Sequence, residues 1–322
     1  MPDVTPPAPH PPAAWARLPG RSALFVRGPD AVRFLDNFTT AAVARLAPGE
    51  GTEGFFTDAR GVVLALVNIL RIEDGLWLDA APGVATLLRS HLDHYLIREQ
   101  VELADASAEL GAVLLAGPEA RHWLTIHASS APVDAALAHA RGRAGDVDAR
   151  IVAFDWFGPG GLLVQVPAAD LARLEAWLDA RGLPRIDERV VDASRIEAGS
   201  PDPADIDAKT LPQELGRDAR AISFTKGCYL GQETVARLDA LGHVNRRLVV
   251  LATATPPAPS AIVTAAGETV GRVSSGCRSP RLGGGLGLAL VHVRGLGGAA
   301  LEVAGTPARV VTPPGDLPRK EG

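Results

Sequence analysis

The chain changes character at Asn245, and this change constrains the fold more than any other feature of the sequence. After that residue, six short apolar stretches alternate with turns rich in glycine and proline as far as Val311. Short strands spaced in this way are typical of a small β-barrel or sandwich. Before Asn245, strand-like runs such as Ser22 to Arg27 and Leu110 to Leu115 lead into helix-like stretches. The sequence therefore predicts two parts with different architectures.

The first part consists of two strand and helix units of comparable length. In the first unit, a long apolar strand from Gly61 to Ile72 precedes an amphipathic helix from Val84 to Tyr95. In the second, the strand Leu162 to Val166 precedes a helix marked by Leu171, Leu174 and Leu178. Neither unit shows a strict βαβ alternation, which favours an α+β domain with two related halves.

These patterns predict the domain boundaries. We expect an α+β domain over residues 18–245 and a β-barrel over residues 246–313. The proline-rich residues 1–17 show no hydrophobic period, and residues 314–322 are charged and proline-rich. Segments of this composition cannot bury enough apolar surface to fold, so we predict a disordered leader and a disordered tail.

Composition excludes several classes of function. The 322 residues are 47% hydrophobic and 21% charged with a net charge of -5, which is typical of a soluble globular protein without a general nucleic-acid surface. Two cysteines provide neither a disulfide framework nor a closed metal site. The longest apolar run, Val62 to Leu70, is broken by Asn68 and falls short of the roughly 20 residues that span a bilayer. We therefore expect a cytoplasmic protein with no metal site and no membrane partner.

One of the two cysteines lies in an unusual setting. Lys226 precedes Cys228 by two residues, and a nearby cation favours the nucleophilic thiolate. Gly227 and Gly231 flank the thiol, so the backbone can form a tight loop that a ligand can approach. From Gln232 the pattern turns helical. The alternative is a buried and inert cysteine, which is common for a free thiol.

Several blocks around this cysteine have a recognisable order and spacing. They are RIEAG at 195–199, LPQELG at 211–216, KGCYLGQE at 226–233, VNRRLV at 244–249 and SSGCRSPRLGGGLGLALVHV at 274–293. Together they resemble the YgfZ branch of the GcvT-like folate-binding proteins, the relatives of the glycine-cleavage T-protein. The resemblance runs from about Leu18 to Thr312, and KGCYLGQE is its most specific part.

The resemblance implies both a fold and a function. The fold is a folate-binding region of repeated α+β subdomains followed by a small β-barrel. The function is that of a tetrahydrofolate-binding accessory protein for iron–sulfur cluster assembly or repair, which affects cluster enzymes such as those that modify tRNA. The implied cofactor is tetrahydrofolate or a one-carbon derivative. The implied partners are iron–sulfur enzymes or assembly proteins, without direct binding of nucleic acid.

The resemblance also assigns site residues. Glu197 occupies the glutamate of the RIEAG block that meets the pterin ring, and a carboxylate can accept paired hydrogen bonds from that ring. We also assign Tyr229, Gln232, Glu233 and Arg237 to the cofactor site. Without the resemblance, Glu197 would be interpreted as a solvated or helix-end charge.

The arginines near the motif have two interpretations. Arg237, Arg246 and Arg247 could bind the anionic glutamyl tail of a folate, or they could be ordinary surface charges. Cys228 and Lys226 are assigned as the reactive pair, in which the lysine holds the thiol in its anionic form.

One departure from the family pattern bears on enzymatic activity. Aminomethyltransferases carry a pair of aspartates in the strand after a glycine pair, whereas this chain has Leu64 and Ala65 at those positions. Neither side chain can move a proton, so conventional aminomethyltransferase activity is not expected. Two alternatives stay open: a folate-dependent aminomethyl or one-carbon transferase or demethylase that uses another residue, and a structural scaffold in which Cys228 is incidental.

Overall fold

The computed structural model describes residues 11–130 and 133–311 of the chain. In these ranges the strands are β1 Ala14–Arg17, β2 Ser22–Arg27, β3 Gly51–Thr57, β4 Val63–Ile72, β5 Gly75–Ala80, β6 Glu102–Asp105, β7 Leu110–Ala116, β8 Ala128–Ser130, β9 His139–Ala144, β10 Val147–Ala153, β11 Leu162–Pro167, β12 Arg246–Thr253, β13 Ile262–Ala265, β14 Glu268–Arg278, β15 Gly285–His292, β16 Leu301–Val303 and β17 Thr306–Val311. The helices are α1 Ala31–Asp36, α2 Val84–Asp93, α3 Ala120–His127, α4 Leu171–Asp179, α5 Glu188–Glu197, α6 Asp218–Ala221 and α7 Gln232–Leu241.

The first unit forms an antiparallel sheet in the order β3-β4-β5-β2-β6. Strand β4 is apolar along nearly its whole length because both of its faces are covered. Val67 and Ile69 pack into the cluster that includes residues of α1 and α2, whereas Leu70 on the opposite face packs into a cluster with residues of the second sheet. Alternate side chains of a strand point to opposite faces, so β4 shows no polar alternation.

The second unit forms an antiparallel sheet in the order β1-β7-β11-β10-β9-β8. Helices α3 and α4 cover one face, where Leu124 and Leu178 join the cluster of Val113 and Val164. Leu114 of β7 alternates with Val113 and packs toward the first sheet instead. The two sheets therefore pack face to face with helices outside. The predicted α+β region of repeated subdomains is confirmed.

The predicted disordered leader is wrong for its last residues. Ala14–Arg17 forms β1, which pairs with β7 in the register Ala14 to Ala116. Trp15 is fully buried in the core of the second unit, and its Nε1 donates to Asp179 Oδ1 at 3.2 Å. The buried indole and the pairing of β1 with β7 hold this segment in place, although its proline-rich composition had predicted disorder. Residues 1–10 and the predicted tail at 314–322 lie outside the described residues.

The C-terminal part is a closed barrel in the order β12-β15-β14-β13-β16-β17. Pairing of β12 with β17 closes it, with Val250 opposite Val311. Leu251, Val263 and Ala289 fill its interior. The predicted β-barrel is confirmed, and closure leaves no unpaired sheet edge.

A buried polar cluster joins the barrel to the α+β part. Arg195 of α5 forms an ion pair of 2.8 Å with Asp205, whose carboxylate also accepts from Ser274 and Ser275 of β14. Arg195 Nη2 donates in turn to Ser275 Oγ at 3.1 Å. This cluster positions the 201–215 loop. We propose two domains, residues 18–245 and residues 246–313, with the ordered start of the first extended to include β1.

Candidate functional site

A cavity of about 480 Å³ lies beside strand β4. Residues 63–66 of β4, residues 80–84 from the end of β5 to the start of α2, and parts of the 201–208 loop line it. Trp156 and Phe157 add aromatic surface. The guanidinium of Arg217 lies 5.0 Å from the centre of the Trp156 ring and is itself bound by the buried carboxylate of Glu53. A cavity of this size, apolar with few polar groups, is typical of a small-molecule site.

The residues at the positions of the transferase acids lie on the wall of this cavity. Leu64 and Ala65 both line it, and β4 contains no aspartate or glutamate. This wall therefore offers a ligand apolar contact and no group that transfers a proton.

A polar cluster stands next to this apolar wall. Asp79 is buried and accepts hydrogen bonds from Arg21 Nε at 3.2 Å, Asn68 Nδ2 at 3.0 Å and Gln165 Nε2 at 2.9 Å. Arg21 and Asn68 also line the cavity. Local sequence patterns did not indicate this cluster, although Asn68 interrupts an apolar strand with a polar side chain.

Two aspartates of the 201–208 loop also line the cavity. Asp207 accepts from Arg246 Nη1 at 2.6 Å, and this bond is the main reason why the pKa of Asp207 falls to about 2. It is therefore a carboxylate at neutral pH and cannot donate a proton. Asp202 instead accepts from the backbone N–H of Ala204 at the start of a short 3-10 turn.

Glu197, the predicted contact of the pterin ring, has its hydrogen-bond partners on the barrel, and the contact with a pterin stays a prediction. Both carboxylate oxygens face the barrel side: Ser279 Oγ donates to one and Arg281 Nε donates to the other at 3.1 Å. Among residues 11–130 and 133–311, the residues that line the cavity do not include Glu197. Because α5 packs against β14, the end of this helix is directed to the barrel.

Lys226 has a structural role that the sequence did not reveal. Its side chain is only 2% exposed, and its ammonium donates to the backbone oxygens of Asp36, Thr39 and Ala41. Burial lowers the pKa of Lys226 below its usual value, and the Asp36 carboxylate at 3.2 Å opposes that effect. An ammonium has three N–H donors, so none remains for the Cys228 thiolate. Lys226 therefore anchors the loop through backbone oxygens, and its role in holding the Cys228 thiol in the anionic form stays a prediction.

Cys228 itself is exposed on a loop that is fixed on both sides. Lys226 holds one side, and on the other the Leu230 N–H donates to Asn37 O at 2.9 Å. Tyr229 is buried, with the Lys226 ammonium 5.3 Å from its ring centre, and burial raises its pKa to about 12. The motif therefore buries the neighbours of the cysteine and presents the thiol.

Gly231 brings this loop close to the start of β4. It has φ +82°, and a Cβ at this position would lie 2.5 Å from Thr57 Oγ1. Thr57 Oγ1 donates to Leu230 O at 2.7 Å, and Thr234 Oγ1 donates to Arg60 O at 2.8 Å. Glycine has no Cβ, so it can adopt this positive φ and still allow the loop to lie this close to Thr57. The cysteine loop thus packs on the β3–β4 connection, which leads into the part of β4 that lines the cavity.

The other predicted cofactor residues lie apart from the cavity. Gln232 begins α7, and Glu233 and Arg237 are exposed on the same helix. Tyr229 serves the loop anchor described above. None of these four lines the cavity in the described part of the chain. The structure therefore separates the predicted residues into a loop site around Cys228 and a barrel contact at Glu197.

Cys277 and Arg246 lie in environments that differ from that of Cys228. Cys277 on β14 is half-buried, and burial raises its pKa to about 12, which makes it a poor nucleophile. Arg246 binds Asp207 and, at 2.8 Å, Glu214, and its binding of a glutamyl tail stays one of two open predictions. Over the ranges described, no group of three His, Cys, Asp or Glu side chains could hold a metal ion. No helix there is long and apolar enough to span a bilayer.

Comparison with known families accounts for both parts of the chain. Residues 22–226 match the GCVT N-terminal domain, and residues 246–315 match the glycine cleavage T-protein C-terminal barrel domain. The chain belongs to the glycine-cleavage T-protein family. Within it, the chain is of the YgfZ type, as the relatives below show, so the resemblance found in the sequence is confirmed.

Two curated relatives extend over most of the chain. The human mitochondrial iron-sulfur cluster assembly factor IBA57 is 30% identical and covers 91% of this chain and 84% of its own length. The tRNA-modifying protein YgfZ of Edwardsiella ictaluri is 34% identical over 74% of this chain and 71% of its own. Among solved structures, aminomethyltransferase T of the Bartonella henselae glycine cleavage system superposes with a TM-score of 0.74 at 20% identity, covering 93% of this chain and 84% of that one. The last likeness shows the fold.

Proposed function

We propose that this protein binds tetrahydrofolate or a one-carbon derivative and serves as an accessory protein for iron–sulfur cluster assembly or repair. One observation carries the proposal: the cavity wall includes Leu64 and Ala65, which the resemblance places at the positions of the transferase acids, and the loop that presents the Cys228 thiol packs on the connection that leads into this wall. Binding without conventional transfer and an accessible thiol are the two properties that such a protein needs.

The cavity fits a folate head group in size and composition. Its volume of about 480 Å³ lies in the range of small-molecule sites. Trp156 and Phe157 offer surfaces on which a flat ring can pack, while Leu64 and Leu66 offer aliphatic contacts. Arg21 and Asn68 supply polar groups that would orient it. When bound, the folate would carry a one-carbon unit that this chain does not supply itself.

The exposed thiol supports the iron–sulfur part of the proposal. Iron–sulfur clusters usually take four cysteine ligands, so one chain with Cys228 alone would be a transient ligand or a redox partner and would not hold a cluster permanently. The names of the relatives, an iron-sulfur cluster assembly factor and a tRNA-modifying protein, support this role. The proposed partners are iron–sulfur enzymes, including those that modify tRNA, or their assembly proteins. The proposed compartment is the cytoplasm, where free thiols persist.

The chain has two free cysteines, so the role of Cys228 can be tested with Cys277 as a matched control. Cells that lack the protein would be complemented with wild type, Cys228→Ser or Cys277→Ser, and the activity of an iron–sulfur enzyme would be measured. We expect Cys228→Ser to abolish complementation and Cys277→Ser to preserve it, while purified Cys228→Ser protein keeps its thermal stability and its affinity for tetrahydrofolate. The reason is that Cys228 is exposed and makes no contribution to the cavity.

Other results would change the assignment. Full complementation by Cys228→Ser, together with no binding of tetrahydrofolate by the wild type, would leave a structural scaffold. Formation of methylenetetrahydrofolate from an amine donor by the purified protein would instead favour the one-carbon transferase.

A further inference from the structure

A second cavity, of about 240 Å³, lies at the end of α1. Its lining residues are Arg33, Phe34, Asn37, Phe38, Tyr95 and Glu99. It has no lining residue in common with the larger cavity beside β4. Its volume is below the roughly 300–1,000 Å³ of sites that enclose a whole small molecule, so it suits a single side chain.

Three aromatic rings are grouped in this lining. The ring centres of Phe34 and Phe38 are 4.9 Å apart, those of Phe38 and Tyr95 are 4.8 Å apart, and the planes are tilted by 48° and 44°, respectively. Phe34 is buried, whereas Phe38 and Tyr95 are half-buried and keep part of their surface open. Aromatic rings attract cations, because the face of each ring carries partial negative charge.

The charges at this second cavity also favour a cation. Glu99 Oε2 accepts from the backbone N–H groups of Arg98 at 3.0 Å and Ile97 at 3.2 Å, and such bonds hold the pKa of Glu99 below its usual value. In the described ranges, no lysine or arginine side chain forms an ion pair with this carboxylate. Arg33, the cation of the lining, is paired with Asp30 at 3.1 Å. The Glu99 carboxylate is therefore available to a cation from outside.

The second cavity lies next to the loop that presents Cys228. Asn37 lines it, and the backbone oxygen of Asn37 accepts at 2.9 Å from the N–H of Leu230, two residues after the cysteine. Ile97, between Tyr95 and Glu99 in sequence, is 85% exposed. A protein that covered the cavity would bury this isoleucine, and the burial would favour association. A partner that meets the thiol can therefore reach this cavity as well.

We propose that the second cavity binds an arginine side chain of the iron–sulfur protein that meets Cys228. The inference rests on the proposed function, because that function supplies the partner. A guanidinium packs on aromatic faces and pairs with a carboxylate better than an ammonium does, since it is planar and less strongly hydrated. The rings and Glu99 would hold this group, and the contact would fix the orientation in which the partner reaches the thiol.

A matched ligand pair tests the cavity directly. Nα-acetyl-argininamide and its uncharged isostere Nα-acetyl-citrullinamide would be titrated into the full-length protein, and binding would be followed by the NMR shifts of the backbone amides of Phe38 and Glu99. The proteins would be wild type, Glu99→Gln and the control Glu109→Gln, whose carboxylate is exposed between β6 and β7. We expect wild type and the control to prefer the arginine ligand by about five- to tenfold. Glu99→Gln should keep no more than about a twofold preference, because Arg33 then opposes a second cation.

A charge reversal tests whether the cavity contacts the partner. Glu99→Arg and the control Glu109→Arg would be measured in the same complementation assay as Cys228→Ser. We expect Glu99→Arg to lower the activity of the iron–sulfur enzyme by about fivefold or more, because like charges oppose each other across the contact. Glu109→Arg should leave that activity unchanged. Both purified variants should keep the thermal stability of the wild type and its affinity for tetrahydrofolate.

The outcomes separate the inference from the proposed function. If neither ligand shifts these amides, or if wild type binds both ligands equally well, the cavity holds no cation and the inference is wrong. If Glu99→Arg complements as well as wild type in cells that Cys228→Ser does not complement, the inference is wrong while the proposed function stands. If Cys228→Ser complements fully and wild type does not bind tetrahydrofolate, the proposed function fails and the inference fails with it. If Glu99→Arg does not fold, the ligand pair measured on wild type and Glu99→Gln decides alone.

Discussion

Two buried aspartates, Asp79 and Asp205, have nearly the same environment, but the hydrogen-bond networks around them differ. Each is 1% exposed, each accepts four hydrogen bonds, and each binds an arginine that lines the cavity. Around Asp205 the cluster closes on itself, because Ser275 Oγ donates to Asp205 and accepts from Arg195. Around Asp79 it stays open, because Asn68 Oδ1 and Gln165 Oε1 have no partner in the described ranges.

We expect this difference to separate a structural cluster from one that supports binding. The closed network keeps the 201–215 loop and the barrel together, and its hydrogen-bonding groups are used within it. The open network positions Arg21 and Asn68 on the cavity wall. The comparison can be tested with the same substitution at both aspartates and with a third aspartate at the edge of the cavity.

The largest expected effect is that of Asp205→Asn. It leaves the Arg195 guanidinium, whose side chain is 8% exposed, without its buried carboxylate, which typically costs about 3–5 kcal/mol. The free energy of unfolding would be measured by urea denaturation. Asp192→Asn is the control, because Asp192 binds the same arginine but is 51% exposed, and we expect a loss below about 1 kcal/mol. Equal losses for the two variants would contradict a structural role for Asp205.

A smaller loss of stability is expected for Asp79→Asn. The amides of Asn68 and Gln165 can rotate to accept from the new amide, so hydrogen bonds lost at this position can be remade and the cost should be about 1–2 kcal/mol. Affinity for tetrahydrofolate should nevertheless fall by about tenfold or more, because Arg21 and Asn68, which line the cavity, lose the carboxylate that positions them. A stability loss equal to that of Asp205→Asn with unchanged folate affinity would show that both clusters are structural.

The smallest effect is expected for Asp207→Asn, and it should depend on pH. The folded-state pKa of Asp207, about 2, is below its usual value of 3.8 because of Arg246. Its stabilisation is therefore present above about pH 4 and is lost as the pH falls toward 2. At pH 7 the variant should lose about 1 kcal/mol after allowance for solvent screening, since the side chain is 49% exposed. Thermal unfolding of both proteins from pH 7 to pH 2 would measure it; a difference that persists at pH 2 would contradict this origin.

Much of the fold could be predicted because local sequence patterns indicate most of its strands and helices. The period of two along β2, the apolar run of β4 and the turn-separated strands after Asn245 each survive in the structure with shifts of a few residues at their ends. The edge strand β1 could not be predicted in this way. Pairing with the distant strand β7 orders it, and no local pattern records that partner.

The sequence by itself determined the family, the α+β and barrel architecture, the absence of acids at Leu64 and Ala65, and the presence of a cysteine motif. Only the tertiary structure decided what the polar residues do. Lys226, two residues before Cys228 in sequence, donates to backbone oxygens just after the end of α1, and Glu197 binds the barrel. Asn68, an interruption in an apolar strand, becomes a buried partner of Asp79 at the cavity wall. Hydrogen-bond partners are chosen by proximity in space, and residues far apart along the chain supply them.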